Sequence, residues 1–272
     1  MPGASTVLFL HAHPDDESLF TAGVSNLLAD TQRPAILITC TDGRWGFDLS
    51  GRAGITDGHD DVDTARVRAD ELAHAAAWCG ITDHRQWEFF DSGMAGWPQA
   101  ADPRAFVNQS VDVLADRLAQ ICDQHAVRAL VTYDERGFYG HPDHIMANRV
   151  AVAAASRSNC VQRVWYPVVA ESRFADFVPR ALARGVQLPA WITDGSAGTA
   201  DELITCRPDT APFADRKRAA IAAHASQIDN ADLLTMGAEL FDLLFAAETY
   251  QLGWTSSPDD AGHPTDLLGG LE

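Results

Sequence analysis

Short apolar runs alternate with longer amphipathic stretches along this chain. Residues 7–10, 34–40, 86–90, 129–132 and 161–169 have strand length and are mostly rich in Val, Ile, Leu and Phe. Between them, apolar residues recur at helical spacing over 19–28, 64–79, 103–125 and 142–155. In 64–79 the stripe is Val67, Leu72, Ala75, Ala76 and Cys79; in 103–125 it is Val107, Val111, Leu114, Leu118 and Ile121. The continuous apolar runs predict strands covered on both faces, as in a parallel sheet. Strand alternating with helix predicts an α/β, Rossmann-like, doubly wound and mostly parallel sheet. In the usual order of that fold the first and fourth strands lie side by side where the winding reverses. Their carboxyl ends flank the ligand crevice.

Beyond residue 170 the pattern changes. Helices are expected over 171–183, 213–228 and 239–248, and 186–207 mixes short apolar stretches with Gly, Pro and Thr, as in a small antiparallel appendage or lid. The stretch from Ser256 is rich in Gly, Pro and Asp and is expected to be loosely ordered. We expect one domain over 1–272, with a core over 1–170 and a smaller C-terminal lid or substrate part over 171–272. Two polar loops, 41–61 and 91–97, follow the second and third strands, and loops of such length are more often functional than idle.

Charge and cysteine usage narrow the class. With 272 residues, burying a core is not limiting, and a formal net charge of −18 argues against nucleic-acid or anionic-membrane partners. No apolar run is long enough to span a bilayer and no signal-type segment opens the chain, so a cytoplasmic protein acting on a small molecule is expected. A homo-oligomer is compatible with this composition. Cys40, Cys79, Cys122, Cys160 and Cys206 are scattered and odd in number, as expected of reduced, buried thiols.

The chemistry concentrates at two strand ends. After residues 7–10 the chain reads His11, Ala12, His13, Pro14, Asp15, Asp16, Glu17, Ser18; Pro14 ends the strand and leaves a turn of imidazole and carboxylates. Such a turn suits a metal, zinc foremost, although the same acids would also cap the next helix. After residues 129–132 the logic repeats: Tyr133, Asp134, a loop carrying Gly137 and Gly140 around Tyr139, then His141, Pro142, Asp143, His144. Pro142 opens a helix whose start places His141 and His144 on one side. The fold order brings the two clusters face to face. No G-x-G-x-x-G follows the first strand and no G-x-S-x-G surrounds a serine, which disfavours a dinucleotide site and an α/β-hydrolase.

At these residues the chain resembles the LmbE-like, or N-acetylglucosaminyl-phosphatidylinositol de-N-acetylase, family. Residues 12–17 match its first signature and 141–144 its second. The similarity extends to the mycothiol-pathway deacetylases and S-conjugate amidases through 91–96, Tyr133, Asp134, Tyr139, Arg68, Glu71 and the segment 217–227 with His224. One stretch departs: the acidic loop of those enzymes, implicated in holding inositol, here contains Asp42, Arg44, Trp45 and Phe47. The resemblance implies zinc, with Fe2+ as the alternative, held by His13, Asp16 and His144. It implies Asp15 as general base, His141 kept protonated by Asp143 as oxyanion stabiliser, and Tyr139 as a second donor to the same oxygen. Arg68 and Asp91 are implied sugar contacts, while Trp45, Phe47 and Trp97 either stack on a sugar face or pack. The implied reaction removes acetyl from an N-acetylglucosamine-type conjugate, a mycothiol precursor or an acetylated amino sugar of a secondary metabolite. An amidase for a larger acyl group and a metal-bound sugar-binding protein without turnover are the alternatives.

Overall fold

Strand β1 (Thr6–His11) lies inside the sheet, and all six of its residues are buried. The computed structural model describes residues 5–271. Leu8 and Leu10 enter the apolar layer on one face of the sheet and Val7 and Phe9 the layer on the other, which explains an apolar run without alternation. Parallel neighbours β2 (Ala35–Thr41) and β4 (Val127–Val131) set Leu37 and Val131 opposite Phe9. With β3 (Asp83–Phe89) and β5 (Arg163–Ala170) outside them, the order is β3-β2-β1-β4-β5, the expected winding with its reversal between β1 and β4.

Helices α1 (Ala22–Asp30) and α2 (Asp61–Trp78) cover the Val7 face; α3 (Val111–Gln124), the single turn α4 (Gly137–Gly140) and α5 (Pro142–Arg157) follow, α3 and α5 covering the other face. The Asp60 carboxylate caps α2 by accepting from the Asp63 amide at 3.0 Å. Past β5 come α6 (Glu171–Ala183), α7 (Ala190–Thr193), β6 (Gly198–Thr199), α8 (Ala214–Ala223), α9 (Ile228–Thr235), α10 (Ala238–Phe241) and β7 (Thr249–Thr255). Members of α6 to α10 form a third apolar layer. No helix among the described residues is long and apolar enough to cross a membrane. Four of the free cysteines are buried and Cys160 is half-buried.

Several elements differ from the sequence expectation. The helix expected from residue 103 starts only after Ser110, because the backbone of 104–106 pairs with Phe90 (Phe106 N to Phe90 O, 2.9 Å) and Ser110 caps the helix. The expected helix over 213–228 breaks at His224, whose ring is drawn inward to Glu17. In 186–207, β6 joins β5 in parallel, not as an antiparallel appendage, and only the bridge Cys206–Tyr250 is antiparallel. The helix expected over 239–248 ends earlier, and residues 249–255 form an unforeseen antiparallel partner of β5. The stretch from Ser256 is not loose: Leu267, Leu268 and Leu271 are buried, Trp165 Nε1 donates to Leu267 O at 3.0 Å, and Arg163 pairs with Asp260 at 2.6 Å.

Candidate metal centre and active site

The carboxyl ends of β1 and β4 deliver the two histidine clusters to one place. His13 Nδ1 lies 3.4 Å from Asp16 Oδ2 and 3.3 Å from His144 Nε2, and His144 Nε2 is 3.5 Å from Asp16 Oδ1. Tetrahedral zinc with bonds of about 2.0–2.2 Å needs donors roughly 3.3–3.6 Å apart, which the two imidazole nitrogens meet, with one Asp16 oxygen turned toward each. The outer edges of both rings are already engaged, as ligating imidazoles require. His144 Nδ1 faces the Gly137 carbonyl at 3.2 Å, and His13 Nε2 faces Asp143 Oδ2 at 3.3 Å. Asp16 is held by the His13 amide at 2.8 Å and by the Tyr133 hydroxyl at 2.5 Å. Tyr133 also accepts from the Ala12 amide at 2.8 Å and stacks on His144 with centroids 3.8 Å apart.

A second cluster gathers His141, Asp91 and Asp143 around His13. Its carboxylates accept hydrogen bonds as Asp16 does: Asp143 from the Ser92 hydroxyl at 2.5 Å and the Ser92 amide at 2.9 Å, and Asp91 from the Gly93 amide at 2.7 Å. His13, His141 and His144 also come within ligating distance of one another, so the imidazoles of His13 and His144 are common to the possible cation positions on this side of His13. Burial opposes charge on His13, but Asp91, Asp143 and Asp16 outweigh it and hold its pKa well above the ordinary value. Burial likewise works against the Asp16 carboxylate, yet His144 and His13 keep its pKa well below normal.

Asp15 sits beside this set in a left-handed backbone conformation (φ 110°), rare for a residue with a side chain. Three neighbours hold the turn. Glu17 accepts from the Asp15 amide at 3.0 Å and pairs with His224 at 2.8 Å; Arg68 Nη2 lies 3.2 Å and Asn230 Nδ2 3.2 Å from Asp15 Oδ2. Burial raises the Asp15 pKa against the pull of Arg68, a direction that suits a proton acceptor. Arg68 is itself buried, donating to the carbonyls of Pro14 and Gly43. A side chain at Gly43 (φ 61°) would start 2.7 Å from Arg68 Nη1, so glycine there makes room for this clamp.

His141 departs from the expected arrangement. The Asp143 carboxylate engages His13 and Ser92, and it is the Asp143 amide that donates, at 3.2 Å, to His141 Nδ1. Burial, with His13 and His144 adding to it, pushes the His141 pKa well below normal. With Nδ1 accepting from that amide, Nε2 is left as the donor edge of the ring. It remains a hydrogen-bond donor without being an acid held charged by Asp143. Tyr139, its pKa raised by burial, is stacked on Trp191 at 5.2 Å and lies 6.0 Å from the His141 ring. Asp91, Trp45, Phe47 and Trp97 line the same cavity of about 650 Å³ as Asp15, Arg68, Tyr139 and His141.

Sequence reasoning missed Tyr133 as the group that pins Asp16, and Ser92, His11 and Asn230 as supports. Tyr133 and Ser92 lay in stretches that resemble the family without a role attached, and His11 carried a signal of its own. It ends a wholly buried strand and bonds Thr21 at 2.8 Å, and burial lowers its pKa to about 4. The others are apparent only in three dimensions.

The family model for the GlcNAc-PI de-N-acetylase (PIG-L) matches residues 8–155. A 1D-myo-inositol 2-acetamido-2-deoxy-alpha-D-glucopyranoside deacetylase of Acidothermus cellulolyticus is 34% identical over 98% of this chain and 95% of its own. Among solved structures, the N,N'-diacetylchitobiose deacetylase of Pyrococcus horikoshii aligns with TM-score 0.59 and 16% identity over 92% of this chain and 84% of its own. The 4-carboxy-2-hydroxymuconate hydratase GalB of Pseudomonas putida aligns with TM-score 0.60 and 15% identity over 94% and 99%. Each of the two shares its fold with this chain, but their names carry different reactions, so fold alone does not choose the chemistry.

Proposed function

The chain belongs to the GlcNAc-PI de-N-acetylase (PIG-L) family, and from that premise we propose that it is a zinc-dependent hydrolase removing the N-acetyl group from a glucosamine-containing conjugate. The observation that carries this reading is the meeting of His13 Nδ1 and His144 Nε2, 3.3 Å apart, with one Asp16 oxygen facing each at 3.4 and 3.5 Å and Asp15 alongside. Zinc, or Fe2+ in its place, would be held by those three side chains and would supply Lewis acidity to water and amide carbonyl.

The protein's own groups then divide the work. Asp15, held by Arg68 and Asn230, takes a proton from the attacking water and returns it to the departing amine. His141 donates from Nε2 to the oxyanion, and Tyr139 reaches toward the same oxygen from its glycine-flanked loop. Asp143 acts one step back, orienting His13. Asp91 and the rim of Trp45, Phe47 and Trp97 are placed for the hydroxyls and apolar face of a sugar. The segment from residue 171 onward contributes the far wall of the cavity, which is the substrate part of a single domain. The inositol glycoside named for the bacterial relatives is the first substrate to try, ahead of an acetylated amino sugar on a secondary metabolite. Retention of Asp15 and His141 disfavours a binding protein without turnover, which needs neither group.

The test is acetate release from N-acetylglucosaminyl-inositol by protein as purified, after chelation and after zinc return. Loss on chelation with recovery on zinc is expected; activity indifferent to chelation with no metal retained would overturn the reading.

A further inference from the structure

His224 ends α8, and its ring is buried against the turn that carries Asp15. Its Nε2 lies 2.8 Å from Glu17 Oε1, and the buried Glu17 accepts from the Asp15 amide on its other oxygen at 3.0 Å. These two bonds link the end of α8 to the backbone of Asp15. That backbone needs holding. A left-handed φ of 110° in a residue with a side chain persists only where the surroundings impose it. The residues that follow form a wide turn of π type, Glu17–Thr21, which is itself a rare conformation.

The other ring nitrogen of His224, Nδ1, is buried and has no hydrogen-bond partner among the described residues. A buried polar atom without a partner is destabilising, so a side chain placed for packing alone would not carry one. The ring is there for its Nε2. Among the described residues no lysine or arginine pairs with Glu17, which leaves His224 as its counter-group. The segment that presents His224 is fixed along its length. Ser226 bonds the Glu71 carboxylate at 2.7 and 2.8 Å, and Gln227 exchanges two bonds of 3.1 Å with the backbone of Phe47. Asn230, from the same segment, reaches Asp15 Oδ2 at 3.2 Å, as Arg68 does. Both tethers are on Oδ2, which leaves Oδ1 for the attacking water. A carboxylate held through one oxygen can still swing about that contact, so the direction of Oδ1 depends on the Asp15 backbone.

Resting on the amide-hydrolase reading above, we propose that His224 is a positioning residue for the reaction: through Glu17 it fixes the backbone of Asp15 and so aims the untethered carboxylate oxygen at the water. It bonds to none of the three side chains assigned to zinc. Its effect therefore falls on turnover, and zinc retention and substrate binding are left as they are.

The experiment measures kcat, KM and zinc content of zinc-loaded wild type, His224→Asn and His224→Gln with N-acetylglucosaminyl-inositol. The Gln amide reaches the place of Nε2 and restores the bond to Glu17; the Asn amide, one methylene shorter, does not. His224→Asn is expected to keep its zinc and a KM within about twofold of wild type, while kcat falls roughly 10–100-fold, the scale of an ångström's misplacement. His224→Gln is expected to recover most of that loss. Equal loss in the two variants, loss of zinc in place of turnover, or an unchanged kcat in His224→Asn overturns the proposal. In an Asp15→Asn background no base is left to aim, so adding His224→Asn is expected to change the residual rate by less than about threefold. A full further loss there assigns His224 to the fold at large and overturns the proposal. Where His224→Asn does not fold, His224→Phe, which fills the ring's place without a donor, takes over the same comparisons. Wild type that releases no amine overturns the amide-hydrolase reading and the proposal with it, whereas wild-type turnover with indifferent His224 variants overturns the proposal alone.

Discussion

Asp143 Oδ2 lies 3.3 Å from His13 Nε2, and the same carboxylate is fixed by Ser92 through two hydrogen bonds. Two loops and the start of α5 thereby aim His13 Nδ1 at Asp16 and His144. A carboxylate behind a ligating imidazole sets its tautomer and raises its basicity.

Asp143→Asn is therefore expected to weaken zinc binding and activity together, by roughly 10–100-fold. Competition with a coloured chelator measures the first, amine release the second. Weaker activity with unchanged zinc affinity would place Asp143 on the reacting groups instead.

Asp15→Asn keeps the three donors and removes the proton acceptor. Expected are zinc content equal to wild type and kcat lower by roughly 10²–10⁴-fold. Metal analysis beside single-turnover kinetics checks this; near-normal turnover would sink the base assignment.

Tyr133→Phe deletes the hydroxyl that donates to Asp16 and accepts from the Ala12 amide, leaving that buried amide without a partner. A loss of about 1–3 kcal/mol in folding stability is expected in metal-free protein, read by urea unfolding. Zinc affinity should fall as well, because Asp16 is then held by the His13 amide alone.

The C-terminal stretch should undock in acid. The hydrogen bond from Arg163 holds the Asp260 carboxyl below its ordinary pKa. A depressed folded-state value contributes stability that is complete above the unfolded value near ~4 and is lost as pH falls through the folded one. Asp266, paired with Arg33, shifts in the same direction despite its partial burial. Protection of the amides across 256–271, with exchange corrected for its intrinsic pH dependence, is expected to fall between pH 6 and pH 3, and Asp260→Asn should lose that protection already at pH 6. Equal protection at both pH values would show that Leu267, Leu268 and Leu271 hold the segment unaided.

Much of the molecule was legible along the chain because its signals are local. A buried parallel strand must be apolar on both faces, so β1 and β2 announce themselves, and a proline after a strand marks where β1 turns into the site. Pairing of β1 with β4 follows from winding alone, and that pairing brings His13 to His144. Elements whose partners are remote were misread. Residues 103–109 have helical periodicity but pair with Phe90, the helix through His224 is interrupted by Glu17 some two hundred residues earlier in the chain, and β7 forms against β5 after a run of helices.

By itself, then, the order of apolar and polar residues determined the winding of the sheet and the set of groups that meet at its switch point. Tertiary structure alone decided which partner each group meets: Asp143 engages His13 and not His141, and Arg68 is turned inward onto Asp15. Periodicity reports which face a residue presents, whereas tautomers, ion-pair partners and cavities depend on atoms that folding brings together from distant parts of the chain.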